Sequence, residues 1–215
     1  MDFVRPTRPV PLSFVTGRGH YETVIRAVRA AKTSVWIATA NLKELMVEDE
    51  RWTSRRRRFG ASSYRSVIGV FADLAAQGVE LRILHAAPPS GPFQRELARH
   101  DRLPLQMRQC PRVHMKAVVV DGSFLYLGSA NWTGAGLGAK GTGRRNFEIG
   151  IVTDDALLLD DVQELFDRVW RGAECGACRL RDECPRPLDL APRVSKTRPR
   201  AAAAGFRAAR RDPRP

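Results

Sequence analysis

The strongest constraint on the fold is the alternation of short apolar runs with segments of helical periodicity. Residues 34–40 and 79–85 are apolar and rich in β-branched side chains, which is typical of buried strands. Apolar residues recur at helical spacing over 20–32 and 64–77, so a helix precedes each of these strands. Because strands that alternate with helices usually form a covered sheet, this half of the chain predicts α/β layers.

A group of strands follows in the second half of the chain. Beyond a helix near 93–99, strands are predicted at 105–109, 113–121, 124–129 and 147–153, and a further one at 12–15. An amphipathic helix over 156–171 then closes the pattern. The prediction is one α/β domain, residues 1–172, with a mixed sheet flanked by helices on both faces.

The charge of the chain indicates its partners. It has 36 Lys and Arg against 23 Asp and Glu, a formal net charge of +13, and a basic surplus attracts polyanions such as nucleic acid. The surplus is concentrated in the residues after 189, where Pro, Arg and Ala dominate. This composition predicts a basic, disordered tail over 189–215.

A long connection is predicted over 41–63, with four consecutive arginines at 55–58. Long loops inside compact domains are usually functional, whereas charge runs often only face solvent. Contact with phosphates and simple solvation are therefore both open for this loop.

Membrane insertion and export are not indicated. No apolar run approaches the roughly eighteen residues of a membrane span, and the opening 1–15 lacks the pattern of a secretory signal. A cytoplasmic location is expected, and there the four cysteines would remain reduced.

The run HMKAVVVDGSFLYLGSAN carries the candidate chemistry. His114 and Lys116 are two residues apart on a predicted strand, so their side chains should emerge on the same face. An imidazole beside an ammonium group suits a phosphate, because one can attack or carry a proton while the other neutralises oxygen charge. A turn at 121–123 then reverses the chain and brings Ser129 and Asn131 back toward this pair.

These residues resemble the signature of the phospholipase D superfamily, H-x-K-x4-D-x6-G-S-x-N. Every fixed position is met, by His114, Lys116, Asp121, Gly128, Ser129 and Asn131. The resemblance extends to Asn146-Phe147-Glu148, an N-x-E on the following strand. It implies a phospholipase D/nuclease-like fold, with a single H-x-K-x-D domain and a short Cys-rich C-terminal extension.

The resemblance also implies a role for each catalytic residue. His114 would be the nucleophile and form a covalent phosphohistidine. Lys116 and Asn131, assisted by Ser129, would hold the phosphate oxygens as charge builds in the transition state. Glu148 would accept a hydrogen bond from the second ring nitrogen of His114 and fix its tautomer.

A second histidine is needed to protonate the leaving oxygen, and in this family a second motif copy supplies it. This chain has one copy, because His20, His85 and His100 are not followed by the motif lysine. Single-copy members pair two chains, which implies a homodimer with His114 of each subunit in one site. No metal is implied for catalysis.

Four further motif-associated residues have supporting roles. Asp121 is expected to fix the turn after its strand without touching substrate, and Gly128 completes the structural part of the motif. The Gly-rich loop 131–146 ends in Arg144 and Arg145, which either grip phosphates beside the scissile one or belong to an ordinary flexible loop.

The cysteines form a second constellation. Cys175-x2-Cys178-x5-Cys184 follows the last predicted helix, and Cys110 lies four residues before His114. Four thiolates are the number that Zn²⁺ or a [4Fe–4S] cluster requires. The spacing resembles the iron–sulfur staple of certain bacterial and CRISPR-associated nucleases. A structural [4Fe–4S] cluster in segment 173–188 is slightly favoured over zinc, and unligated buried thiols are the remaining alternative.

Three functions remain open. A nuclease acting on DNA or RNA fits the basic balance and the arginines. A phospholipase D-type lipid phosphodiesterase would use the same catalytic residues, but it should also show an exposed apolar patch or an amphipathic interfacial helix, and the sequence indicates neither. The third interpretation is an inactive nucleic-acid-binding or scaffold subunit, because a fold does not guarantee an activity.

Overall fold

The computed structural model describes residues 3–49 and 64–190. The helices of this part of the chain are α1 Gly19–Ala30, α2 Val67–Ala76, α3 Gly91–Arg99 and α4 Ala156–Trp170. The strands are β1 Ser13–Thr16, β2 Ser34–Thr39, β3 Met46–Glu48, β4 Tyr64–Ser66, β5 Glu80–His85, β6 Leu105–Gln109, β7 Ala117–Val120, β8 Phe124–Gly128 and β9 Ile149–Thr153. None of these helices is long and apolar enough to cross a membrane.

Seven strands form one mixed sheet in the order β1-β9-β8-β7-β2-β5-β6. Strands β2, β5 and β6 are parallel, as helical crossovers require, whereas β2–β7, β7–β8, β8–β9 and β9–β1 are antiparallel. Strands β3 and β4 form a separate antiparallel pair. The predicted α/β fold with a mixed sheet is confirmed.

Helices cover both faces of this sheet. Helices α1 and α2 bury one face, where Ile25 and Phe71 pack against Ile37 and its neighbours. Helix α4 covers the opposite face with Phe166 and Trp170. Because successive strand residues face opposite sides, one strand such as β2 supplies side chains to both apolar layers.

Two element boundaries before residue 70 differ from the sequence prediction. Residues 64–66 form β4 instead of helix, because the Ser66 hydroxyl accepts the Ile68 N–H and caps α2 at its start. Strand β3 lies inside the predicted connection 41–63, pairing with β4. The arginines at 55–58 lie outside the described residues.

Two strands of the second half are shorter than predicted. Residues 113–116 precede β7, because the Val113 N–H bonds to the Cys110 carbonyl in a turn. Residues 147 and 148 also lie before their predicted strand, because β9 begins at Ile149. After α4, residues 173–190 run through successive turns, and the tail from residue 191 lies outside the described part of the chain.

Candidate active site

The two halves of the motif meet at one edge of the sheet. The Gly128 N–H donates to the Lys116 carbonyl at 3.1 Å, so the start of β7 lies beside the end of β8. The end of β2 reaches the same edge because β2 and β7 are antiparallel neighbours. The loops that leave these three strands therefore place their side chains in one region.

The pair that opens the motif is accessible and in contact. His114 is exposed, and the Lys116 ammonium lies 3.1 Å from each ring nitrogen and 2.9 Å from the His114 carbonyl. Burial lowers the pKa of Lys116, and the charge of Glu148 opposes that shift. The two side chains share a face as the sequence predicts, although they lie just before the strand and not on it.

The amide of Asn131 is oriented by backbone and hydroxyl donors. Its side-chain oxygen accepts the Asn41 N–H at 3.0 Å and lies 3.3 Å from the Thr39 hydroxyl, whose single proton is shared with the Asn41 carbonyl at 2.9 Å. Because the oxygen is occupied in this way, the amide nitrogen is the group left to donate to a ligand. An amide donor near the His114–Lys116 pair suits a phosphate oxygen.

The Glu148 carboxylate accepts hydrogen bonds from two side chains that lie at the same edge of the sheet. It accepts a short hydrogen bond from the Ser129 hydroxyl and one of 3.0 Å from the Asn146 amide. Among the described residues no hydrogen bond joins Glu148 to His114. The single chain therefore does not contain the contact by which Glu148 was expected to fix the tautomer of His114. The Ser129 hydroxyl is used in its hydrogen bond to the Glu148 carboxylate.

A buried histidine that the motif does not contain supports this edge. His20 is 0% exposed, and its ring nitrogens lie 2.9 Å from the Tyr126 hydroxyl and 3.1 Å from the Glu148 carbonyl. An Nε2–H that donates to the carbonyl leaves Nδ1 to accept from the hydroxyl, whose pKa is raised by burial. The sequence indicates this burial in one way, because His20 lies on the same face of the predicted helix as the apolar Val24 and Ile25.

Gly128 and Asp121 have structural positions. A Cβ on Gly128 would lie 2.4 Å from the Tyr126 hydroxyl and 2.6 Å from the Ile149 carbonyl, so no larger residue fits. The Asp121 carboxylate accepts backbone N–H groups at the α1–β2 junction, those of Lys32, Thr33 and Ser34. Burial opposes its ionisation, but these hydrogen bonds outweigh it and hold the pKa of Asp121 below its usual value.

The two loop arginines differ in their surroundings. The Arg145 guanidinium donates to the Lys140 carbonyl at 2.7 Å and to the Thr142 hydroxyl at 3.2 Å, so it belongs to the loop. Arg144 is exposed at the end of a short 3₁₀ turn, Thr142–Arg144. Arg144 is the better placed of the two for a phosphate.

All four cysteines line one small cavity, whose wall also includes Pro111 and Arg112 of the loop that leads to His114. They are free thiols and half-buried. Burial raises the pKa of Cys110, and the neighbouring Cys175 and Cys184 raise it further. Across residues 3–49 and 64–190, no three His, Cys, Asp or Glu side chains converge as a ready-made metal site.

A mixed sheet with H-x-K and G-S-x-N at one edge defines a phospholipase D-like domain. The family model described as "Cardiolipin synthase, PLD-like domain" matches residues 24–170, and the chain belongs to this family. The family is one of phosphodiesterases and hydrolases. The resemblance seen in the sequence is thereby confirmed.

One curated relative is the mitochondrial cardiolipin hydrolase of Xenopus tropicalis, 37% identical over 59 residues. The match spans 27% of this chain and 25% of that protein, so it covers about a quarter of the relative.

Solved structures agree in fold. NucT from Helicobacter pylori superposes with a TM-score of 0.52 at 15% identity, covering 74% of this chain and 95% of NucT. Nuc from Salmonella typhimurium, a phospholipase D family member, gives 0.52 at 16% identity, covering 75% and 95%. Phosphatidylserine synthase from Haemophilus influenzae gives 0.53 at 13% identity, covering 73% and 36%. At these identities the likeness concerns the fold alone.

Proposed function

We propose that this protein is a metal-independent phosphodiesterase that cleaves nucleic acid through a phosphohistidine on His114. The observation that carries the proposal is the exposed His114 ring with the Lys116 ammonium 3.1 Å from its nitrogens. An accessible nucleophile and a fixed cation are what attack on an anionic phosphodiester requires.

In the first step a ring nitrogen of His114 bonds to phosphorus and the phosphorus–oxygen bond to the leaving group breaks. The leaving oxygen takes a proton from a second imidazolium. Lys116 and the Asn131 amide stabilise the nonbridging oxygens, whose negative charge increases in the transition state.

In the second step water replaces the histidine on phosphorus. The second imidazole, neutral after the first step, accepts a proton from that water, and the phosphorus–nitrogen bond breaks. The product is a phosphate monoester, and His114 returns to its starting state. The two rings must begin in opposite protonation states.

The second imidazole is assigned to another copy of the chain. His20 is 0% exposed and His85 is 4% exposed, so neither ring can reach a substrate. His100 follows helix α3 and lies 3.8 Å from Glu96 of the same helix. A homodimer that brings together His114 from both subunits supplies the missing acid.

An apolar surface beside the site supports this assembly. Phe147 is fully exposed and Ile149 is 60% exposed, on either side of Glu148 in the chain. Phe14 is 64% exposed and lies opposite Ile151, on the same face as Ile149. Exposed apolar groups that adjoin an incomplete site suit a second copy of the chain.

Nucleic acid is the proposed substrate because of charge. The chain has a formal net charge of +13, and Arg144 is exposed on the loop between Asn131 and Glu148. Lys and Arg that neutralise backbone phosphates supply most of the affinity of nonspecific nucleic-acid binding. A cytoplasmic location is part of the proposal and rests on the sequence.

A lipid phosphodiesterase is the second candidate. The exposed apolar surface of Phe14, Phe147 and Ile149 would suit a lipid interface as well as a second subunit, and two comparisons also favour it. The curated relative is a cardiolipin hydrolase, and the matching family model is described by cardiolipin synthase. Both lipids and nucleic acids present phosphodiesters, so the catalytic residues do not separate the two substrates.

The test is digestion of DNA, RNA and cardiolipin vesicles by the full chain in excess EDTA. We expect cleavage of a nucleic acid that His114→Ala abolishes and that His100→Ala, a matched control, leaves intact. Cleavage of cardiolipin alone would establish the lipid function instead. Tight nucleic-acid binding without turnover would identify a scaffold, and cleavage that requires added Mg²⁺ or Mn²⁺ would contradict the metal-independent mechanism.

A further inference from the structure

The four cysteines lie far apart in sequence and together in space. Cys110 follows β6, whereas Cys175, Cys178 and Cys184 follow α4, yet all four line the same cavity. Its remaining wall includes Leu188, a buried residue of the same C-terminal segment. The cavity therefore joins the C-terminal segment to the loop that leads into His114.

The C-terminal segment buries little apolar surface of its own. In 173–190 the backbone makes tight turns at the cysteines, where Cys178 N–H bonds to the Cys175 carbonyl and Cys184 N–H to the Arg181 carbonyl. Leu188 is the one buried side chain in this stretch. Short segments that bury so little apolar surface usually need a cross-link or a bound metal.

One guanidinium group adjoins the thiols. Arg112 lies against the Cys178 sulfur, whereas Arg181, the other arginine that lines the cavity, is paired with Asp189 at 2.7 Å. Four thiolates around Zn²⁺ or an oxidised iron–sulfur core leave a net negative charge, which nearby guanidinium groups offset.

We propose that Cys110, Cys175, Cys178 and Cys184 together bind one thiolate-ligated metal centre, either a [4Fe–4S] cluster or Zn²⁺. The centre is structural and fixes the C-terminal segment to the loop before His114. No step of the phosphodiesterase reaction passes through it. The proposal is independent of which phosphodiester the protein cleaves.

The four thiolates suit either occupant. A [4Fe–4S] cluster attaches each thiolate to a different iron atom, whereas one Zn²⁺ binds all four. Both occupants use the same four residues.

The experiment measures bound metal in the full chain purified without oxygen. Iron, acid-labile sulfide and zinc are quantified per chain, and the absorbance near ~400 nm is recorded. About four irons with four sulfides identify the cluster, and about one zinc identifies the ion. Cys178→Ala should lose most of this metal, whereas Glu183→Ala, an exposed neighbour, should retain it.

A second measurement does not depend on how a variant folds. In the unaltered protein all four thiols should resist alkylation until the metal is removed, and cleavage by protease within 173–190 should then increase. Protein without metal whose four thiols react at once would overturn the proposal. Disulfides in the anaerobic protein, or metal content unchanged in Cys178→Ala, would overturn it equally.

Discussion

The ring of His20, on the first turn of helix α1, lies 3.1 Å from the backbone carbonyl of Glu148. The same ring accepts the Tyr126 hydroxyl at 2.9 Å, and Tyr126 in turn fills the space that Gly128 leaves open. A residue outside the motif thus supports the segment that presents the carboxylate of the candidate site.

His20→Ala should destabilise the protein and disturb this segment. Removing the ring leaves the Tyr126 hydroxyl and a carbonyl without their partner in a buried place, which typically costs about 1–3 kcal/mol for each such group. Urea unfolding measures the free energy, and kcat is followed under conditions where the variant is folded. His100→Ala serves as the control, and equal stability of both variants would contradict the supporting role.

Asp121→Asn should lower the free energy of unfolding at neutral pH by about 2 kcal/mol, because hydrogen bonds to a charged group are lost. The folded-state pKa of Asp121 lies below the ordinary value of 3.8. Its stabilising effect is therefore present above that value and lost as the pH falls through the folded pKa.

The difference in the free energy of unfolding between Asp121→Asn and the unaltered protein should accordingly shrink below about pH 4. Unfolding in urea at a series of pH values from neutral to acid measures it. A difference that is the same at every pH would show that the carboxylate charge is not responsible.

Deprotonation of Lys116 should affect how steeply log kcat/KM falls at alkaline pH. Burial lowers its pKa from 10.5, so the ammonium is lost at a lower pH than in an ordinary lysine. The fall of log kcat/KM caused by the acid histidine should steepen where Lys116 also deprotonates. Lys116→Arg should keep the shallower slope through this range, with kcat lower by about 100-fold.

The control for that profile is Lys32→Ala, which removes an exposed lysine whose backbone, not its side chain, binds Asp121. Lys32→Ala should show the same steep fall of log kcat/KM at alkaline pH as the unaltered protein. An identical slope in Lys116→Arg and the unaltered protein would show that this ammonium does not titrate in the working range.

A shared active site predicts a specific response to mixed subunits. When a fourfold excess of His114→Ala chains exchanges with unaltered chains, only about one fifth of the latter pair with each other. Activity per unaltered chain should fall to that fraction. Subunit exchange is verified with two differently tagged chains, and the control is an excess of His100→Ala, which should cause no loss.

Activity that stays constant in the presence of excess His114→Ala would show that one chain holds a complete site. The proposed source of the second imidazole would then be wrong. The phosphohistidine itself would be tested separately, by trapping the acid-labile adduct on His114 after rapid mixing with substrate.

Much of the fold follows from local pattern. The alternation of apolar runs and helical spacing predicted strands β2 and β5 and the helices before them. An element that buries one face carries apolar residues at its own structural period, and that period is visible in the sequence. Boundaries were less predictable. The hydroxyl of Ser66 ended β4 and began α2 through one local hydrogen bond, which the apolar pattern of 64–77 does not reveal.

The sequence by itself determined the pairing of His114 with Lys116 and the return of Ser129 and Asn131 to the same edge. These residues directly flank the two strands of one hairpin, which are joined by a short turn, so their proximity depends on few degrees of freedom. The family followed from the same run of residues.

Only the tertiary structure decided which groups hold the site in place. The Asn131 amide is oriented by Asn41 and Thr39, and Glu148 is bound by Ser129 while its backbone contacts His20. Cys110, from the middle of the domain, and the three cysteines after α4 likewise line one cavity. These contacts join residues that are distant in the chain, and only the packing of helices on the sheet brings them together.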